Sequence, residues 1–213
     1  DALDNQTEAT ITLAETNLDE AASFNNQQID YAENREAGDV LGTVTASDLD
    51  GVKSFGFKQG DGTVAATSAD GYYQIDNDGK ITITAAGVAA EVNDFEAGSN
   101  SGDYVVVMTD QLDNQTEATV TLAETNLNED ATFQNQQIDY AENREAGEVL
   151  GTVNASDLDG VKSFGFKQAD DSVATTSQDG YYQIDNNGKI TITAAGVAAE
   201  VNDFEAGSNS GDY

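Results

Sequence analysis

The chain has no cysteine, no histidine, no proline and no tryptophan, and only 8 of its 213 residues are lysine or arginine. Without cysteine there are no disulfides and no thiolate metal sites. Without histidine, zinc sites and most acid–base or nucleophilic catalysis lose their usual residue. Eight basic side chains stand against 40 acidic ones, a formal charge of −32. That charge excludes nucleic acid as a natural partner, because phosphate binding needs clustered lysine and arginine. It also disfavours an anionic membrane surface. No apolar run reaches the length of a membrane span, so no membrane insertion is expected, and no secretory leader is visible.

What is present is a folding chain. Hydrophobic residues make up 38% of it, and valine, isoleucine, tyrosine and phenylalanine recur regularly, which disordered chains lack. A charge of −32 opposes compaction unless salt screens it or cations bind it. Above all, the sequence repeats. Residues 1–104 and 110–213 align without a gap at an offset of 109, and 90 of those 104 positions are identical. Such a period is too long for a solenoid turn and suits one small β-sandwich domain. Function then belongs to an array more than to a single pocket.

Within one period the spacing predicts seven strands, at 24–32, 40–46, 53–59, 71–76, 79–84, 103–110 and 115–123. Alternation of period two is clearest in Thr116-Glu-Ala-Thr-Val-Thr-Leu122, the mark of a half-buried strand. Asp-Gly pairs at Asp50-Gly51, Asp61-Gly62, Asp70-Gly71 and Asp78-Gly79 supply turns. Only the alanine-rich 85–93 suits a short helical turn. The fold class expected is all-β: tandem seven-stranded Greek-key sandwiches of the cadherin or immunoglobulin-like kind. Polar linkers at Glu15–Glu20 and Glu124–Asp130 set the domain limits. Residues 1–17 are expected as the final strand of a preceding repeat, 18–126 as a complete domain, and 127–213 as a domain lacking its last hairpin.

Carboxylates gather at strand ends and domain edges: Glu33-Asn34, Asp48-Leu-Asp50-Gly51, Asp94-Phe-Glu96 and Asp110. Hard divalent cations such as calcium take six to eight oxygen ligands, mostly carboxylates and carbonyls. So few basic residues leave these groups without obvious ion-pair partners. Asp76-Asn-Asp78-Gly79 looks like a calcium-loop fragment, yet the second copy reads Asp185-Asn-Asn187-Gly188, and a plain β-turn is the better reading.

The order of these motifs resembles the cadherin repeat. It runs Ala32-Glu33-Asn34, Gly42-Thr-Val44-Thr-Ala46-Ser-Asp48-Leu-Asp50, Tyr73-Gln-Ile75-Asp76, Gly79-Lys-Ile81, Asp94-Phe-Glu96, Tyr104 to Asp110, then Glu124-Thr-Asn126 with Phe133. The resemblance covers the whole repeat. Near-identical copies and acidity look like the cadherin-like extender repeats of large bacterial surface adhesins secreted with RTX elements. The resemblance implies several Ca2+ ions at each interdomain junction. Near residue 126 it implies Glu33, Asp94 and Glu96, with Glu124 and Asn126 from the linker and Asp157 and Asp159 from the next domain. Near residue 17 it implies Glu15, Asn17, Asp48, Asp50 and Asp110. Glu142, Asp203 and Glu205 are the second-copy counterparts. Two departures stand out: glutamate replaces the family's usual linker aspartate at 15 and 124, and the linker proline is absent. The lack of tryptophan does not support adhesion of the animal strand-exchange type, and no RTX Gly-Gly repeats are present.

The function implied is a calcium-stiffened spacer on a bacterial cell surface, extracellular and biofilm-associated, forming a monomeric rod whose partners are neighbouring repeats. A second reading makes the repeat itself adhesive, through Phe55, Phe57, Tyr72 and Tyr73, towards a glycan, a protein or a like repeat. An enzyme such as a carboxylate glycosidase is not expected, since no insertion forms a pocket, nor is a small-molecule substrate. A salt-adapted acidic surface without metal would explain the charge but not its gathering at strand ends.

Overall fold

The computed structural model describes residues 6–206 and 209–213. It divides into two compact units, Asp1–Leu127 and Asn128–Tyr213.

In the first unit the strands are β1 (Gln27–Ala32), β2 (Val40–Thr43), β3 (Val52–Lys58), β4 (Val64–Ala65), β5 (Tyr73–Ile75), β6 (Lys80–Ile83), β7 (Ser101–Asp110) and β8 (Gln115–Thr125). A five-stranded sheet has the order β1-β8-β7-β3-β4, and a three-stranded sheet the order β2-β6-β5. All seven expected strands are present within a few residues, and the two-residue β4 is added. The 85–93 segment forms α1 (Ala85–Val88) and a 3-10 turn (Glu91–Asn93). Thr84 caps α1, its hydroxyl accepting from the Gly87 N–H at 3.1 Å and donating to the Gly71 carbonyl at 2.7 Å.

The two inner faces make one core. Phe57, Val106, Met108, Ala118, Val120 and Leu122 come from the larger sheet, and Leu41, Tyr73, Ile75, Ile81 and Ile83 from the smaller. Burying each large apolar side chain contributes roughly 1.5–3 kcal/mol. A tyrosine network locks one side: the Tyr31 and Tyr73 hydroxyls meet at 2.9 Å, and Tyr31 also donates to the Val92 carbonyl at 2.6 Å.

β8 runs antiparallel to β7 and parallel to β1, with Gln27 opposite Val120 and Ala32 opposite Thr125. The second unit has fewer strands among the described residues. It contains β9 (Val149–Thr152), β10 (Phe166–Lys167), β11 (Val173–Ala174), β12 (Tyr182–Ile184), β13 (Lys189–Ile192) and α2 (Ala194–Ala198). Residues 136–141 have the same sequence as β1 but form no strand, and residues 161–165, the counterpart of most of β3, form none either. Residues 6–17, expected as a strand of a preceding repeat, likewise carry none and are exposed. Residues 1–5 of that expected strand lie outside the described residues.

The Asp-Gly turns are as expected: Gly51, Gly62, Gly71 and Gly79 all have φ between 81° and 96°. The Asp76–Gly79 segment is a plain turn, with Asp76 Oδ1 accepting from the Asp78 and Lys80 N–H groups at 3.0 and 2.9 Å. Gly79 carries a second constraint. A Cβ there would meet the Val44 carbonyl at 2.8 Å, whereas one at Gly62 meets nothing within 4 Å. Gly62→Ala should therefore cost only the left-handed strain of about 1 kcal/mol. Gly79→Ala adds a backbone clash and should cost about 2–4 kcal/mol. Urea denaturation of both variants checks the order.

Candidate metal centre

Strand β8 alternates with few faults, and Ala118, Val120, Leu122 and Glu124 are the buried members of its inward side. Glu124 thus continues an apolar row with a carboxylate. It is 5% exposed, and neither of its carboxylate oxygens has a hydrogen-bond partner.

The parallel register brings Glu33 to the same place. Immediately after β1, the Glu33 N–H donates to the Thr125 carbonyl at 3.1 Å. The Glu33 side chain is 2% exposed. Its Oε1 accepts from the Leu127 N–H and its Oε2 from the Phe95 N–H, both at 2.8 Å. Asn34 turns the chain in the left-handed region, with φ of 58°, and donates its N–H to the Asn93 carbonyl at 3.2 Å. The Asn93 side chain accepts from the Arg35 N–H at 2.8 Å and donates to the Arg35 carbonyl at 3.1 Å. These bonds draw the Asp94–Glu96 segment against Glu33. One carboxylate oxygen each from Glu33, Asp94 and Glu96 lies within 4.8 Å of the others. Asn126 Nδ2 donates to Glu96 Oε1 at 2.9 Å.

This arrangement is electrostatically costly. Burial first, then the charges of Glu33, Asp94 and Glu96, push the Glu124 carboxyl up to about 7. Among the described residues, no ion pair reaches Glu33, Asp94 or Glu124. A buried carboxylate without donors is destabilising unless a proton or a cation meets it. The donor set, all hard oxygens, fits calcium.

A second cluster lies in the same unit around Asp110, which is 2% exposed. Asp110 Oδ1 accepts from the Leu112 and Asn114 N–H groups at 2.8 Å, and Oδ2 from Asn114 Nδ2 at 3.0 Å. Burial pushes this carboxyl up, but those hydrogen bonds outweigh it and hold it below the ordinary range. Asp48 Oδ1 accepts from the Asp50 N–H at 2.8 Å, and Asn17 donates to Asp50 Oδ1. The remaining oxygens, Asp48 Oδ2 and Asp50 Oδ2, are hidden from solvent and have no donor. The structure thus brings Asn17 to Asp50. Glu15 is exposed and makes no contact of this kind.

In the second unit, Glu142, Asp203 and Glu205 again present oxygens within 4.8 Å of one another, and Glu142 Oε2 accepts from the Phe204 N–H at 3.0 Å. Glu142 is exposed where Glu33 is buried. Asp157 is half-buried and Asp159 exposed.

Sequence reasoning missed Asp19 and Asn114. Asn114 Nδ2 bridges Asp19 Oδ1, at 2.6 Å, and Asp110. Desolvation, then the charges of Asp110, Asp50 and Asp48, raise the Asp19 carboxyl. The signal was the hairpin turn Asp110-Gln-Leu-Asp-Asn114, which returns Asn114 to the aspartate that opens it.

No protein-family model matches the chain, and no curated protein is similar to it. Solved structures are. Drosophila N-cadherin EC1-4 aligns with a TM-score of 0.53 at 16% identity, over 89% of this chain and 43% of that one. Human protocadherin-24 EC1-2 aligns with a TM-score of 0.50 at 16% identity, over 78% and 73%. The protocadherin GammaB4 extracellular domain aligns with a TM-score of 0.52 at 17% identity, over 81% and 29%. The chain spans under half the length of the first and third of these. At such identity the likeness establishes the fold: the chain is all-β, with the β-sandwich of cadherin ectodomains. Among the described residues no helix is long and apolar enough to cross a membrane.

The raised Glu124 carboxyl sets a pH dependence. A folded-state value above the unfolded one contributes stability below about pH 4.5 that is lost as pH rises through about 7. In chelator, the thermal midpoint should therefore fall as pH rises from 5 to 8, and Glu124→Gln should flatten that fall. Calorimetry across the range checks it.

Proposed function

We propose that these are calcium-rigidified extender repeats of a bacterial cell-surface adhesin, projecting a distal ligand-binding region away from the cell. The observation that carries this reading is Glu124, a buried carboxylate without donors among Glu33, Asp94 and Glu96. At the junction near residue 126 these four residues and Asn126 are the ligands on one side, and Asp157 and Asp159 those on the other. Near residue 17, Asn17, Asp48, Asp50 and Asp110 act with Glu15. Bound calcium supplies the positive charge and oxygen coordination that the protein lacks there. What the chain's own residues do is converge carboxylates from β1, β8 and the Asp94–Glu96 segment on one end of the repeat.

Near-identity of copies supports a spacer, where length matters more than individual chemistry. A sandwich with strands of about ten residues is roughly 33 Å long before loops, so each repeat adds about 4 nm. Extracellular calcium modules bind at about 0.1–1 mM, within reach of calcium-containing water. The adhesive alternative loses its candidates. Phe57 and Tyr73 are buried, and Phe55 and Tyr72 pack on the core.

Small-angle scattering of the chain with calcium and with chelator tests the reading. Calcium should lengthen and narrow the distance distribution and raise the thermal midpoint, since a ligand held only by the folded state stabilises it by mass action. An unchanged maximum dimension would sink the spacer role.

A further inference from the structure

We propose that Asn187 is a site of spontaneous deamidation, and that the folded turn holds the reaction in check by keeping the Gly188 N–H engaged. The proposal stands apart from the calcium reading and needs no bound ion.

Asparagine is among the thermolabile residues, and its fate depends on the residue that follows. The next backbone nitrogen must reach the side-chain carbonyl carbon, and a Cβ on that next residue obstructs the approach. Of the asparagines in the chain, only Asn187 precedes glycine. It stands exposed at the tip of the hairpin between β12 and β13. The step balances with water alone. The Gly188 nitrogen bonds to Asn187 Cγ, the Cγ–Nδ2 bond breaks, and the side-chain nitrogen leaves as ammonia with the Gly188 proton. Water then opens the cyclic imide. Attack at Cγ restores the ordinary backbone with aspartate. Attack at the main-chain carbonyl leaves the chain running through Cγ, an isoaspartate with a longer backbone.

In the folded turn the attacking group is not free. The Gly188 N–H donates to the Asp185 carbonyl at 3.0 Å. Asp185 Oδ1 accepts from the Asn187 and Lys189 N–H groups, both at 2.9 Å. The Gly188 carbonyl accepts from the Val153 N–H at 2.9 Å. Gly188 is packed so closely that a Cβ there would meet the Val153 carbonyl at 2.5 Å. Swinging the Gly188 nitrogen onto Asn187 Cγ breaks the first of these bonds and strains the others, so the reaction runs through an opened turn. The first unit holds the same turn, with the Gly79 N–H donating to the Asp76 carbonyl at 3.0 Å. There Asp78 stands where Asn187 does. A carboxylate is a poor target for a nitrogen nucleophile, so that turn is an internal reference.

The two products act differently on the second unit. Aspartate at 187 reproduces what the first copy already carries. Isoaspartate lengthens the backbone between strands whose register sets Ile184 opposite Ile190, beside a glycine with no room to shift, so it destabilises the hairpin.

The test incubates the full 213-residue chain in mildly alkaline buffer, with and without denaturing guanidinium. Anion exchange follows the added negative charge, and peptide mapping by mass spectrometry locates it. Asn187 should convert first, at least about tenfold faster in denaturant than in buffer. Asn187→Gln should abolish the early charge shift in both. Asp185→Ala frees two N–H groups of the turn and should speed conversion in buffer several-fold without changing the rate in denaturant. Asp185→Asn, which keeps an acceptor oxygen, should stay close to the parent. The separated isoaspartate form should melt below the parent, and the aspartate form at the parent's midpoint. Conversion led by another asparagine would overturn the site. Equal rates in buffer and denaturant, or an Asp185→Ala rate in buffer equal to the parent's, would overturn the restraint. An isoaspartate form that melts with the parent would overturn its effect on the hairpin.

Discussion

The parallel pairing of β1 with β8 is the constraint on which the rest depends. It sets Ala32 opposite Thr125, so Glu33 must emerge beside Glu124 and Asn126. It also adds the edge strand of the larger sheet and sets Tyr31 in the core. Gln-Gln-Ile-Asp-Tyr-Ala is a strand at 27–32, where it pairs with β8, and not at 136–141, although the sequences are the same.

Electrostatics then decides what the paired strands can do. The ion pairs among the described residues join exposed side chains such as Lys58 and Glu117 at 2.7 Å, and exposed pairs contribute little. None of them offsets the charge gathered at the ends of the unit. Hydrogen bonds from the backbone do so for Asp110. Glu33 is similarly held by two N–H groups, but Glu124 receives none. Donorless buried carboxylate oxygens therefore stand at both ends of the unit, on Glu124 at one and on Asp48 and Asp50 at the other.

Much of this was legible in the residues. The seven strands followed from period-two alternation and Asp-Gly punctuation, and each such glycine adopts the positive φ that its turn requires. The inward direction of Glu124 could be counted from Leu122, two residues earlier on the same face. The β-turn at Asp76–Gly79 was legible because Asp78 is replaced by Asn187 without other change nearby. Other features were not. The bridge from Asn114 to Asp19 joins residues 95 apart in sequence, and no local pattern announces it. Residues 6–17 have the alternation of β8 but form no strand, because pairing is a tertiary fact that alternation cannot carry. The aromatic pairs Phe55/Phe57 and Tyr72/Tyr73 suited either face in sequence; the core claims both.

The segments 7–16 and 116–125 differ at one position, Ile11 against Val120. Any β1 in such a chain would accept either as its parallel partner with nearly equal fit, for one methylene at a buried position is all that tells them apart. Repeat proteins are prone to this kind of misassembly while folding. Chain length alone does not choose β8, since residues 7–16 lie only ten residues before β1 and β8 lies a whole domain after it. What β8 has is its hairpin with β7, which is itself paired with β3, so it reaches β1 already aligned in the sheet. Correct assembly of near-identical repeats is in this sense a matter of prior pairing rather than recognition.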